Sequence, residues 1–139
     1  INSAFGLGEL VVSGGVKPDE FILDKRVLAN IDINTDPIIT KMRGDKNSKI
    51  VYDENGGVIE VETNLLEQND FSLTDSQVIE LAKYVLQLEI SYSILFEKQL
   101  GVDVEWALDG IDKNIYIIQT RPETIHNNTE NLEICKYIL

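Results

Sequence analysis

The chain is 139 residues long and 43% hydrophobic, enough for one domain with a real core and too short for two full ones. Its 24 acidic and 12 basic residues give a net charge of −12, which argues against nucleic-acid backbones and anionic membranes as partners, since those are held by clustered Lys and Arg. A metal–nucleotide site stays compatible with that balance, because it needs carboxylates and one or two local cations.

Cys135 is the single cysteine, so no internal disulfide is available and the chain fits a reducing, cytoplasmic setting. No apolar run reaches the length of a membrane span, and no signal-peptide pattern precedes the first strand. The chain starts at Ile1 and ends in Tyr137-Ile138-Leu139, from which we expect a segment of a longer protein.

Phe5-Gly6-Leu7-Gly8-Glu9 reads as a glycine-punctuated loop running into Leu10-Val11-Val12, and Ser13-Gly14-Gly15 breaks the chain again. Such glycines admit close backbone approach and offer N–H groups to phosphate. They follow no strand and open no convincing helix, so they make no dinucleotide fingerprint. Val16–Glu20 gives a turn, Phe21-Ile22-Leu23 a short strand, and Val27–Ile33 a second one. Pro37 interrupts, and Ile38–Met42 leads to a basic loop over Arg43–Lys49, whose cations either reach an anion or decorate a solvated turn. Lys49–Tyr52 and Val58–Glu62 pair across Asp53-Glu54-Asn55-Gly56-Gly57, a hairpin signal because Asn-Gly accepts positive φ. Asn64–Asp70 reads as a polar connection.

A helix follows. Thr74 and Gln77 form a capping box, and Leu73 with Val78 a hydrophobic staple. Val78, Leu81, Ala82, Val85, Leu88, Tyr92, Leu95 and Phe96 recur as one apolar stripe, with Gly101 as the expected terminal cap. Burial of such side chains contributes about 1.5–3 kcal/mol each, the largest apolar contribution in the chain. The expected fold class is α+β, mostly antiparallel sheet with one long amphipathic helix packed on it.

Val102–Leu108 and Asn114–Arg121 alternate with period 2 around a polar loop at Asp109–Lys113, so they predict a second hairpin. If Leu108 lies opposite Tyr116, then Glu105 faces Gln119 and Asp103 faces Arg121 on one surface. Val104, Trp106, Leu108, Tyr116 and Ile118 then form the apolar face. Pro122 ends the ladder for want of an N–H. His126, the only histidine, has no second ligand or nucleophile beside it and reads as an exposed loop residue. Thr129–Leu139 reads as an incomplete helix or linker, which divides the chain into residues 1–125 and 126–139.

Two readings of the hairpin's polar face stay open on residues alone. One is structural, a cross-strand Asp103–Arg121 ion pair beside a Glu105–Gln119 hydrogen bond. The other is chemical: Glu105 and the Gln119 carbonyl are hard oxygen donors suited to magnesium, the Arg121 fork matches phosphate, and Asp103 orients Arg121 or joins in ion binding.

Gly6-Leu7-Gly8-Glu9, Val11-Val12-Ser13-Gly14, Pro18-Asp19-Glu20-Phe21, Phe71-Ser72-Leu73-Thr74-Asp75, Asp103-Val104-Glu105-Trp106-Ala107 and Gln119-Thr120-Arg121-Pro122-Glu123-Thr124 together resemble the nucleotide-binding domain of the phosphoenolpyruvate synthase and pyruvate phosphate dikinase family, to which rifampicin phosphotransferase also belongs. The resemblance covers nearly the whole chain in order, and Phe71–Asp75 with Glu123 favours the synthase branch. It implies the C-terminal part of an ATP-grasp domain that uses ATP and Mg2+. It further implies transfer of the β-phosphoryl group of ATP to a histidine on a separate domain, and from there to pyruvate. By position, Glu105 and Gln119 are implied metal and ATP-phosphate contacts, Arg121 the catalytic phosphate ligand, Asp103 a further acidic site residue, and Glu9 part of the loop lining the nucleotide pocket. The implied partners are the N-terminal half of the ATP-grasp domain and the phosphohistidine domain of the same polypeptide. Lys98-Gln99-Leu100-Gly101-Val102 departs from the family's His-Tyr-Gly-Arg-Pro-like run and is one residue shorter. A non-catalytic acidic binding or scaffold domain that keeps the fold is the alternative from another class.

Overall fold

The computed structural model describes residues 1–30 and 35–123. Within them the elements run β1 (Asn2–Ser3), α1 (Glu9–Ser13), β2 (Asp19–Leu23), α2 (Lys25–Ala29), β3 (Ile38–Met42), β4 (Ser48–Tyr52), β5 (Val58–Glu62), α3 (Leu65–Asn69), α4 (Asp75–Leu95), β6 (Val102–Leu108) and β7 (Ile115–Pro122). The class is α+β and every strand pair is antiparallel, but the strands divide into a three-stranded sheet, β1-β2-β3, and two hairpins, β4-β5 and β6-β7. No described helix is long and apolar enough to cross a membrane.

The core lies where β2 and α4 meet. Ile1, Phe21, Leu73, Val78, Leu81 and Ala82 are its buried members, and Trp106, Leu108 and Ile115 of the second hairpin pack against them. The start of α4 is as expected: Thr74 Oγ1 accepts from Gln77 N at 3.3 Å, and Gln77 Oε1 accepts from Thr74 N at 2.9 Å. Its end is not. The helix stops at Phe96, and Glu97 takes the left-handed position, φ 51°, with Glu97 N on Ile94 O and Lys98 N on Ser93 O. Those two bonds satisfy the terminal carbonyls, so Gly101 is no cap. The stripe is buried only in its first turns, and Leu95 and Phe96 are exposed.

Three segments differ from expectation. The strand expected over 27–33 is instead helix α2, because Asp24 caps it by accepting from Arg26 N at 2.8 Å; residues 31–34 lie outside the described residues. The Arg26 guanidinium, bonded to the same carboxylate, helps hold Asp24 down at about 2. The connection at 64–70 contains helix α3, closed by a second capping box between Asn64 and Glu67. Residues 9–13 coil into α1, and Gly14 at φ 74° ends it, with Gly15 N on Leu10 O at 2.8 Å.

The basic loop between β3 and β4 is turned inward. Lys46 and Asp19 are both fully buried, and Lys46 Nζ donates to Asp19 Oδ1 at 2.5 Å. Asp19 also accepts from Gly44 N at 2.9 Å, Ser72 N at 2.7 Å and Ser72 Oγ at 2.8 Å. Ser72 Oγ lies 2.6 Å from Ser3 Oγ, so one carboxylate joins β1, β2, the loop and the residues leading to α4. Arg43 donates to Asn69 O, and Lys49 pairs with Glu67. These three cations serve the fold.

Candidate functional site

The loop of the β6–β7 hairpin is shaped by its aspartates. Asp109 Oδ1 accepts from Ile111 N at 2.7 Å and Asp112 N at 2.9 Å, and Tyr116 Oη donates to Asp112 Oδ2 at 2.7 Å. That last bond pushes the Tyr116 phenol above its ordinary range. The Asn114 backbone N–H, and then Tyr116, hold the Asp112 carboxyl below its own. At the open end Glu123 N donates to Gly101 O at 2.9 Å. Antiparallel alternation then makes Asp103/Arg121 and Glu105/Gln119 hydrogen-bonded pairs and puts Pro122 in a non-bonded position, where a missing N–H costs no bond. Pro122 is thus the last residue of β7, opposite Val102, and not a break before it.

The register at the polar end is the expected one: Asp103 lies opposite Arg121 and Glu105 opposite Gln119. Past Glu105 the register shifts, pairing Trp106 with Ile117, Ala107 with Tyr116 and Leu108 with Ile115. Ile118 is the extra residue of this bulge and is 66% exposed. The Leu108–Tyr116 pairing is therefore corrected. Ile115 packs on the core with Trp106 and Leu108, and Ile117 joins it beside α4, so Tyr116 and Ile118 leave the apolar face. The shift places Ile115, partly buried, against the core.

Asp103, Glu105, Gln119 and Arg121 share the face turned away from α4, since Val102 and Val104 are buried on the other side. Arg121 Nε donates to Asp103 Oδ2 at 3.1 Å, with the arginine side chain 71% exposed and the aspartate 32%. Glu105 and Gln119 are exposed, and no side-chain hydrogen bond joins them among the described residues. The structural ladder thus has one rung, not two. Glu9 opens α1, exposed, on a segment held to β4 by Leu7 N donating to Ile50 O at 2.9 Å. It sits on a different element from the other four.

Glu105 supplies a carboxylate and Gln119 an amide carbonyl, a donor set that fits magnesium when phosphate oxygens and water complete the shell. Among the described residues no group of three or more His, Cys, Asp or Glu converges to hold an ion without such help. Sequence reasoning missed one neighbour of the site. Tyr92, read only as part of the helix stripe, donates through its hydroxyl to Thr120 O at 3.2 Å. His126 and the linker lie outside the described residues.

Comparison with known proteins gives this face a context. Residues 1–137 match the family described as pyruvate phosphate dikinase, AMP/ATP-binding domain. The chain is 40% identical over 137 residues to phosphoenolpyruvate synthase of Escherichia coli and 40% over 136 residues to that of Helicobacter pylori, each alignment covering 96% of this chain and 16% of the relative. It is 39% identical over 127 residues to phosphoenolpyruvate synthase of Deinococcus radiodurans, covering 91% of this chain and 15% of that protein. The chain therefore spans about a sixth of the length of these curated relatives, at 15–16%. With residues 1–137 matched, the chain belongs to the pyruvate phosphate dikinase AMP/ATP-binding domain family.

Proposed function

We propose that the chain is the C-terminal part of an ATP-grasp nucleotide-binding domain in a longer phosphoenolpyruvate synthase-type phosphotransferase, and that the polar face of β6–β7 is its share of the ATP–magnesium site. The observation that carries this reading is the register: two cross-strand pairs place two carboxylates, an amide and a guanidinium on one exposed face of a chain in an AMP/ATP-binding family. The whole reaction would convert ATP, pyruvate and water to AMP, phosphoenolpyruvate and phosphate through a phosphohistidine on another domain.

In this reading Glu105 and Gln119 hold the metal with the phosphates, and magnesium, when bound, neutralises phosphate charge. Arg121 contributes the planar donors that match phosphate oxygens and stabilise charge developing during transfer. Asp103 keeps the guanidinium on the site side of the strand, and Glu9 lines the nucleotide pocket. The N-terminal half of the domain supplies the opposing wall, and the cytoplasm is the compartment that suits this chemistry.

The test uses the full-length protein. Glu105→Gln should abolish phosphohistidine formation from ATP while circular dichroism and melting stay at wild type; near wild-type phosphorylation would remove Glu105 from the mechanism. Beyond the single equivalent released when the histidine is phosphorylated, the wild-type enzyme should turn over ATP to AMP and phosphate only with pyruvate present. Equal turnover with rifampicin in place of pyruvate would point to the neighbouring branch of the family.

A further inference from the structure

The bulge at Ile118 separates the hairpin into two parts. Trp106, Leu108 and Ile115 fix the loop end to the core, but the register shift uncouples that packing from Gln119 and Arg121. Val102 and Val104 bury the β6 side of the polar end, but a two-stranded ribbon is by itself marginally stable and free to twist. There β7 is at most half-buried, so the polar end needs anchoring beyond that packing.

Two adjacent residues of α4 supply it. Ser93 Oγ accepts from Leu100 N at 3.1 Å, just before β6 begins. Tyr92, stacked on Phe96 with centroids 6.0 Å apart, donates to Thr120 O at 3.2 Å. Thr120 lies between Gln119 and Arg121, and the alternation set by Glu123 N on Gly101 O turns its carbonyl off the outer edge of β7, where β6 cannot reach it.

We infer that Tyr92 is a positioning residue of the nucleotide site: its hydroxyl holds the β7 backbone between Gln119 and Arg121 so that both side chains meet the phosphates. This rests on the reading of β6–β7 as part of the ATP site. Tyr92→Phe keeps the ring and its stacking and removes only the donor.

Full-length Tyr92→Phe and Arg121→Ala are compared with wild type in two assays, AMP formation at varied magnesium–ATP and isotope exchange between pyruvate and phosphoenolpyruvate. The second uses the phosphohistidine and not the nucleotide site. Tyr92→Phe should lower kcat/KM for ATP about 3- to 10-fold, the size expected for loss of one hydrogen bond, with exchange and melting temperature unchanged. Arg121→Ala should lose more in the first assay and equally spare the second. If Arg121→Ala impairs ATP use and Tyr92→Phe does not, the role of Tyr92 is overturned and the site reading stands. If Tyr92→Phe lowers both activities together with the melting temperature, Tyr92 is structural and the positioning role is overturned. If neither variant changes ATP use, the site reading fails and the inference with it.

Discussion

Lys46 donates to Asp19 at 2.5 Å with both side chains fully buried, yet the two partners carry unequal shares of the network. Asp19 accepts from Lys46, Gly44 N, Ser72 N and Ser72 Oγ, whereas Lys46 Nζ serves Asp19 and Gly44 O. Breaking one side of a buried pair costs about 3–5 kcal/mol. Asp19→Ala strands an ammonium and three other donors, so it should be the more damaging change. Lys46→Met leaves a carboxylate with three donors still in place. Urea unfolding should therefore rank wild type above Lys46→Met above Asp19→Ala; the reverse order would refute the asymmetry.

Gly44 owes its place to the same cluster. A Cβ there would lie 2.1 Å from Lys17 O and 2.3 Å from Pro18 O, both backbone atoms that cannot swing away. Gly44→Ala should cost about 1–3 kcal/mol or more through forced backbone movement. At Gly110 an added Cβ meets nothing within 4 Å, so Gly110→Ala should stay within about 0.5 kcal/mol of wild type. Equal melting temperatures for the two variants would refute the close approach.

Acid should loosen the contact between α3 and β4. Burial alone would push the Glu67 carboxyl up, but the Lys49 ammonium and the Asn64 N–H outweigh it and hold Glu67 below its ordinary 4.5. A depressed carboxyl contributes stability that is whole above its unfolded value and fades as pH falls through the folded one. Unfolding free energy should thus fall below pH 4.5 more steeply in wild type than in Glu67→Gln. Parallel pH profiles would exclude Glu67 as a contributor.

What residues alone revealed was local. The Thr74–Gln77 box and the β4–β5 hairpin are each specified within a few positions and both stand, although the positive φ of the turn falls on Gly56 and Gly57 and not on Asn55. The Asn64–Glu67 box has the same spacing, but α3 is five residues long and its Leu65 and Leu66 are exposed, so no apolar periodicity announces it. In β7 the run Ile115-Tyr116-Ile117-Ile118 is apolar throughout, and alternation cannot say which residue the core will reject. Asp19–Lys46 was hidden for a third reason: a pair 27 positions apart is made by tertiary packing, and a lysine in a polar loop looks solvated.

The Asp103–Arg121 bond uses the Nε edge of the guanidinium, and among the described residues Nη1 and Nη2 make no hydrogen bond. The pair is largely exposed, so it contributes about 0–1 kcal/mol to folding, and changes to it should leave the melting temperature nearly unmoved. Its value in the proposed site is orientation: one edge is tied while the outer nitrogens face the phosphates. Lysine cannot divide itself that way, being a point charge without a fork. In the full-length enzyme Arg121→Ala should lower kcat for ATP about 100- to 1,000-fold, as loss of a preorganised donor does elsewhere. Arg121→Lys should recover only part of that. Asp103→Asn keeps an acceptor for Nε but loses its charge, and should cost roughly tenfold. Steady-state AMP formation should therefore rank wild type, Asp103→Asn, Arg121→Lys, Arg121→Ala in falling order. An Arg121→Lys enzyme as fast as wild type would show that charge alone suffices and that the tie to Asp103 does not orient the group.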